Sequence, residues 1–263
     1  MTKNPIEIPK TFMGVSTEEA YRRILEEPEK KANVSDNQLV QLGNPNITKK
    51  DYIQIPGINR VISRFEVQGY NNMNWDNTHF KLHENGLYMP TPAVFMKHFM
   101  NVVEAHKSNG QKTLFDAAGN PISKKDLEDI YLHLTKDHIA VYGNQAGAWT
   151  WLDAKFEEGK ILSEHRTKRN GRDKILHPNK VESLEAALTE DCIADLEFNT
   201  QGLAVKKSKK QKYVAGKNLY FYYPRENLVA RFYAYSDRAF LDCDWVPVDS
   251  DSDLGVFAVT DVS

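Results

Sequence analysis

Residues 228–257 read LVARFYAYSDRAFLDCDWVPVDSDSDLGVF. Small or apolar residues (Ala230, Ala234, Ala239, Leu241, Cys243, Pro247, Leu254, Gly255, Val256) are interleaved there with aromatics and aspartates. Two kinds of position coexist in such a run, one that a fold would fix and one that a ligand would read. Tyr and Phe give large contact area at low rotamer cost, and Asp and Ser give hydrogen bonding, the mixture found in binding surfaces. Aromatics exposed together form a patch that soluble proteins avoid unless it binds something.

Residue usage changes at the same place. Met1 to Arg231 holds 11 Asp and 18 Glu, whereas Phe232 to Ser263 holds seven Asp and no Glu, Lys or Gln. Selection for acidity would not separate Asp from Glu so sharply. A genetic filter would: a codon varying in its first two bases and ending in a pyrimidine yields Asp, Tyr, Phe, Ser and Val, never Glu, Lys or Gln. Trp245 does not fit a pyrimidine-ended codon and needs another origin.

Outward from this stretch, Asn218–Tyr223 and Leu228–Tyr235 read as two strands joined by Pro224-Arg225-Glu226-Asn227. Thr91 caps a helix with Pro92 at its first position and a stripe of Val94, Phe95, Phe99, Val102 and Val103. Ser123 and Asp126 open a second helix carrying Leu127, Ile130, Tyr131 and Leu134. Further upstream, His79–Leu82 and Leu87–Met89 read as short extended pieces around an Asn85-Gly86 turn, and 147–156 as a strand or buried turn. The charged stretch 157–174 reads as exposed loop, 183–188 as one or two helical turns, and 205–212 as a basic loop. Ile53–Ile55 and Arg60–Val67 show strand-like alternation, and a capping box at Ser16 and Glu19 signals a short helix before Pro28. Strands crowd the end and helices the middle, so the fold class is α+β, with residues 1–58 as an N-terminal extension and 59–263 as the main domain.

Composition narrows the function. Hydrophobic residues at 41% mark a globular chain, and a net charge of −2 implies no nucleic-acid or membrane-surface partner. No apolar run is long enough to span a membrane, and the polar start lacks the h-region of a signal peptide, which suits a cytosolic protein or a virion component. Cys192 and Cys243 leave room for one bridge at most, and two buried free thiols are the preferred reading. The terminal aspartates could be calcium ligands, but the calcium-loop pattern needs a Gly and a closing Glu, and both are missing. The eight histidines contain no H-E-x-x-H, so neither a metal nor a cofactor is expected, and His98, His106 and His133 read as surface or core-edge residues. No nucleophile motif occurs, and Cys243 between two aspartates reads as packing rather than as a reactive thiol. Trp149, Trp151, Tyr220, Phe221, Tyr222 and Tyr223 could stack a ligand, although strand spacing more often marks such residues as core.

Val229-Ala230-Arg231, Ser236, Leu241, Pro247 and Leu254-Gly255-Val256-Phe257 resemble the V-x-R…S…L…P…L/I-G-F/V ending of lectin-fold domains related to the formylglycine-generating enzymes. With the alternating codon signature, the chain is similar to the variable proteins of diversity-generating retroelements, in the style of archaea and their viruses. Gly86–Thr91, running into the helix with Phe95 and Phe99, resembles the strand and first helix of that domain, so the resemblance covers about Thr78 to the end. It implies a C-type lectin fold with two helices and a short-stranded, mainly antiparallel sheet. It also implies a non-enzymatic receptor-recognition protein for varied protein or cell-surface ligands. The replaceable positions it implies are Phe232, Tyr233, Tyr235, Asp237, Phe240, Asp242, Asp244, Trp245, Val248, Asp249, Asp251 and Asp253. Ala234, Ser236, Ala239, Leu241, Cys243, Pro247, Ser250 and Ser252 would be framework, with Arg238 and Val246 undecided. Two alternatives stand beside it: a catalyst on the same fold, which needs a Cys or His metal-ligand set that the spacing does not supply, and a structural virion protein with an acidic face.

Overall fold

The structure, a computed structural model, describes residues 11–12, 15–16, 48–136, 147–235 and 237–261. The chain divides into two compact units, Met1–Leu39 and Val40–Ser263. In the first, strands β1 (Thr11–Phe12) and β2 (Val15–Ser16) pair antiparallel. Apart from Ser16 at its start, the helix expected there lies outside the described residues.

Among its described residues the second unit is α+β, with three α-helices and two mostly antiparallel sheets. The small sheet comprises β3 (Tyr52–Gln54), β4 (Arg60–Ser63) and β12 (Val259–Asp261), with β4 in the middle. The large sheet has β5 (Trp149–Glu157), β6 (Lys160–Asn170), β7 (Asp173–Ser183), β8 (Cys192–Asp195), β9 (Asn218–Tyr222), β10 (Val229–Tyr235) and β11 (Arg238–Trp245), in the order β7-β6-β5-β10-β11-β9-β8. The two strands expected to adjoin across 224–227 therefore do not pair with each other. β11 lies between them, antiparallel to β10 and parallel to β9.

Helices α2 (Pro92–Lys107) and α3 (Lys124–Thr135) form where the caps place them. Thr91 accepts a hydrogen bond from the Val94 amide at 3.3 Å and Ser123 from the Asp126 amide at 3.1 Å. Their apolar stripes lie against one face of the large sheet, where Phe95, Phe99 and Leu134 join Leu152, Phe221, Phe232, Leu241 and Cys243 in the main core. A second core gathers Trp75, Leu82, Met89, Trp151, Val229, Leu254 and Val256. Leu254–Phe257 runs alongside β5, bridging it in parallel at Thr150 and Gly255.

Three local expectations are corrected. His79–Leu82 is not extended but part of helix α1 (Trp75–Glu84), capped by Asn74, whose buried stripe is Trp75, Thr78, His79 and Leu82. The helical period was present, but two of its four inward positions are polar. Residues 157–174 are no loop: β6 and β7 make a long hairpin turning at Gly171, which has φ +64°. Its outer half is exposed on both faces, so no apolar alternation marks it. Residues 183–188 contain no helix.

Candidate functional site

In β10 and β11 alternate side chains point to opposite faces of the sheet. Ala230, Phe232, Ala234, Ala239, Leu241 and Cys243 face the helices and belong to the main core. Phe232 is fully buried, with ring centroids 4.9 Å from Phe95 and 5.6 Å from Phe99. Burial removes it from any ligand-reading set, which corrects its place among the twelve candidates.

The other face carries a continuous aromatic layer. Phe240 stacks on Tyr233 at 4.2 Å, on Tyr220 at 5.0 Å and on Tyr222 at 5.8 Å, and Tyr235 meets both Tyr233 and Trp149 edge-on. None of Tyr233, Tyr235 and Phe240 belongs to either core; Tyr233 and Phe240 are covered largely by their neighbours, whereas Tyr235, Tyr220 and Tyr222 are half-exposed. Within the sequence's aromatic set, Trp151 and Phe221 go to the cores and Trp149, Tyr220 and Tyr222 to this layer.

Arg231 fixes the layer's edge. Its guanidinium lies 3.2 Å from the Trp245 ring centroid and 4.6 Å from that of Tyr233, and its Nε donates to Asp242 at 3.0 Å. Asp242 is thus a buried ion-pair partner rather than a free side chain. Burial, and then the Asp244 side chain, push Asp242 up to about 7 against the pull of Arg231. Asp244 is half-exposed and pairs with Arg225. The Trp245 indole N–H is buried without a hydrogen-bond partner. Cys243 is a free, buried thiol raised well above its ordinary value by burial and then by the flanking aspartates, which makes it a poor nucleophile. Cys192 is also free but only half-buried, which corrects the expectation that both thiols are buried.

The remaining candidates lie in turns. Asp237 is exposed and pairs with Arg238 in the β10–β11 turn. Residues 246–253 form a loop tied to the segment before and at the start of α1: Trp75 N–H donates to the Pro247 carbonyl at 3.0 Å and Asn72 N–H to the Asp251 carbonyl at 3.2 Å. The Asp249 and Asp251 carboxylates accept from the Ser250 and Asp253 amides, so each partly serves its own turn. Asp253 and Val248 are open, Val248 at 75% exposure. With Ser250, Asn72, Asn77, Lys81 and Glu84, Val248 lines an open cleft of about 690 Å³. Among the described residues no three of the terminal aspartates bring ligand atoms together as a calcium site requires. In the basic loop, Lys206 and Lys207 pair with Glu197 and Glu190.

A second constellation escaped the sequence reading. His79 of α1, Asp153 of β5 and His165 of β6 are 0%, 1% and 3% exposed, and one ligand atom from each lies within 4.8 Å of the others. His165 Nδ1 is 2.5 Å from Asp153 Oδ1, and the His165 amide donates to Asp153 Oδ2 at 3.0 Å. His79 Nε2 lies 3.6 Å from Asp153 Oδ1, too far for a hydrogen bond, and neither His79 nitrogen has a hydrogen-bond partner. Burial holds His79 down to about 3, leaving the ring neutral. No motif spacing could reveal this set, because α1, β5 and β6 meet only in the folded chain. His98 and His133 are likewise fully buried rather than at the core edge, His133 Nε2 meeting Glu66 at 2.7 Å.

No helix among the described residues is long and apolar enough to cross a membrane. Compared with models of known protein families, with curated proteins and with solved structures, the chain matches none.

Proposed function

We propose that the chain is a ligand-binding protein that reads a protein or cell-surface target with the aromatic face of β9, β11, β10 and β5 and with the adjoining 246–253 loop. On this reading the domain is a C-type lectin variant whose terminal region is diversified by a retroelement. One observation carries it: the strand alternation sends the interleaved residues Tyr233, Tyr235, Phe240 and Asp244 to one face, while Ala234, Ala239, Leu241 and Cys243 anchor the other. Tyr and Trp surfaces rimmed by Asp suit such a target, since they bury area at little entropic cost while the carboxylates select basic partners. The sites open to replacement become Tyr235, Asp237, Asp244, Trp245, Val248, Asp249, Asp251 and Asp253, all half-buried or exposed.

Sequencing sibling genes, together with the DNA beyond the 3′ end, tests this. Substitutions should crowd at those positions and spare Phe232, Leu241 and Cys243, with a near-identical repeat and a reverse transcriptase gene nearby. An invariant C-terminus without that repeat would overturn the diversification. Binding would then need its own support, from capture of a target by the wild-type chain that Tyr235→Ala loses; retained capture would place the contact elsewhere.

A further inference from the structure

We propose that His79, Asp153 and His165 form a buried binding site for one divalent transition-metal ion, with zinc the best match, that pins helix α1 to strands β5 and β6. The inference rests on the donor geometry and is independent of the ligand-binding reading. Two imidazoles and a carboxylate are the donor types that zinc takes, at bond lengths of about 2.0–2.2 Å, which puts neighbouring donor atoms roughly 3–3.5 Å apart. The 3.6 Å separation of His79 Nε2 from Asp153 Oδ1 is already of that size. His165 Nδ1, 2.5 Å from the same oxygen, needs to withdraw by about 1 Å and bind the ion through its lone pair, the neutral ring carrying its proton on Nε2.

The surroundings look like the supporting groups of a metal centre. Asp153 is held in place by hydrogen bonds at both ends of the residue: its amide donates to the Pro90 carbonyl at 2.8 Å, and its Oδ2 accepts from the His165 amide. The Trp75 ring stands edge-on to both histidines, at centroid distances of 4.3 Å and 4.9 Å, and is itself fixed by an indole N–H donated to the Leu152 carbonyl at 2.9 Å. Outer groups of this kind orient ligands. His83 stands beside the set, 5.6 Å from His79 between ring centroids; its Nδ1 accepts from the Thr167 amide at 3.2 Å, which puts the proton on Nε2 and makes His83 a neighbouring donor rather than a ligand.

Without an ion this arrangement is costly. A buried histidine with two nitrogens lacking partners forfeits roughly 1–3 kcal/mol for each unmade hydrogen bond. Among the described residues the Asp153 carboxylate also has no Arg or Lys ion-pair partner, only the two histidines. A divalent cation satisfies the His79 nitrogen that faces Asp153 and neutralises the carboxylate. Because α1 begins at Trp75, whose amide holds the Pro247 carbonyl, the ion would also steady the 246–253 loop.

The test uses the full, untagged chain, stripped with a chelator and titrated with zinc chloride, followed by competition with a metal-binding dye and by thermal melting. One zinc per chain, a raised melting temperature and visible cobalt d–d bands on substitution with cobalt are expected. His79→Leu removes no hydrogen bond and should fold, but its zinc affinity should fall by more than roughly 100-fold, beyond the loss of an outer partner. Asp153→Asn should behave alike, and His106→Ala, at an exposed pair with Glu128, should change nothing. Absence of stoichiometric binding, or zinc effects that persist undiminished in both His79→Leu and Asp153→Asn, would overturn the proposal. If His79→Leu is more stable than the stripped wild type and zinc protects neither, the histidine is simply an unsatisfied core residue.

Discussion

The assignment of faces in β10 is the point on which both fold and function turn, and Phe232→Ala tests it directly. The Phe232 ring is fully buried between α2 and the sheet, packed against Phe95 and Phe99. Truncation removes the transfer energy of the ring and leaves a cavity that tightly packed neighbours fill only in part, at a cost of about 3–5 kcal/mol. Tyr235, three residues on, stands on the opposite face, half-exposed, with edge contacts to Tyr233 and Trp149. Tyr235→Ala should cost only about 1 kcal/mol, the order of the lost aromatic contacts. Urea denaturation followed by tryptophan fluorescence reads both. With a slope of about 3 kcal/mol per M, Phe232→Ala should lower the midpoint by roughly 1–1.7 M and Tyr235→Ala by roughly 0.3 M, with slopes unchanged. If the two variants fall together, or if Phe232→Ala stays within about 1 kcal/mol of wild type, then β10 does not divide into a core face and a surface face.

Three further outcomes follow from other parts of the molecule. Burial holds His98 down to about 4 from an ordinary 6.5, so below that ordinary value the unfolded chain takes up a proton that the folded chain refuses. The His98 share of stability should therefore be full above about pH 6.5 and fall by about 3 kcal/mol towards pH 4, on top of a loss in the same direction from the buried His79 and the lowered His83; His98→Leu, compared in excess chelator, should make the curve shallower by that share, and parallel curves would contradict it. Asp242→Ala leaves the Arg231 guanidinium buried and unpaired and should cost about 3 kcal/mol or more at pH 8, whereas Asp244→Ala breaks only a more exposed pair and should cost less than about 1 kcal/mol; calorimetry showing equal losses would place Asp242 outside a buried pair. Gly202 has φ +83° and lies so close to the Pro92 carbonyl and Ala93 amide that an added methyl overlaps them, so Gly202→Ala should lose about 2 kcal/mol or more, and a change below about 0.5 kcal/mol would show that the loop can move off the start of α2.

Much of the scaffold was legible because its signals are local. Thr91 and Ser123 lie within three residues of the amides they cap, and the stripes of α2 and α3 repeat within a turn, so these helices could be read without knowing what they pack against. β9 and β10 were legible as strands from their composition, whereas β11 and β12 were not read as strands, and the interleaving of Ala234, Ala239, Leu241 and Cys243 with larger residues suggested a framework set beside an outward set. Phe232 was misplaced because identity alone cannot say on which side of a strand a phenylalanine sits. The bulge between Val229 and Arg231 and the neighbouring α2 decide that.

The sequence by itself determined the α+β class, the two capped helices, the strand-rich end and the break in residue usage after Arg231, all of which depend on neighbours a few positions apart. Only the tertiary structure decided that β11 inserts between β9 and β10, that the charged stretch after Phe156 is a hairpin, that α1 is a helix with polar residues on its inner face, and that His79, Asp153 and His165 meet. The physical reason is the same in each case. Hydrophobic periodicity reports which side of an element is buried when the buried residues are apolar, whereas strand partners and clusters of polar residues are chosen by contacts between segments far apart in the chain, and those contacts leave no local pattern.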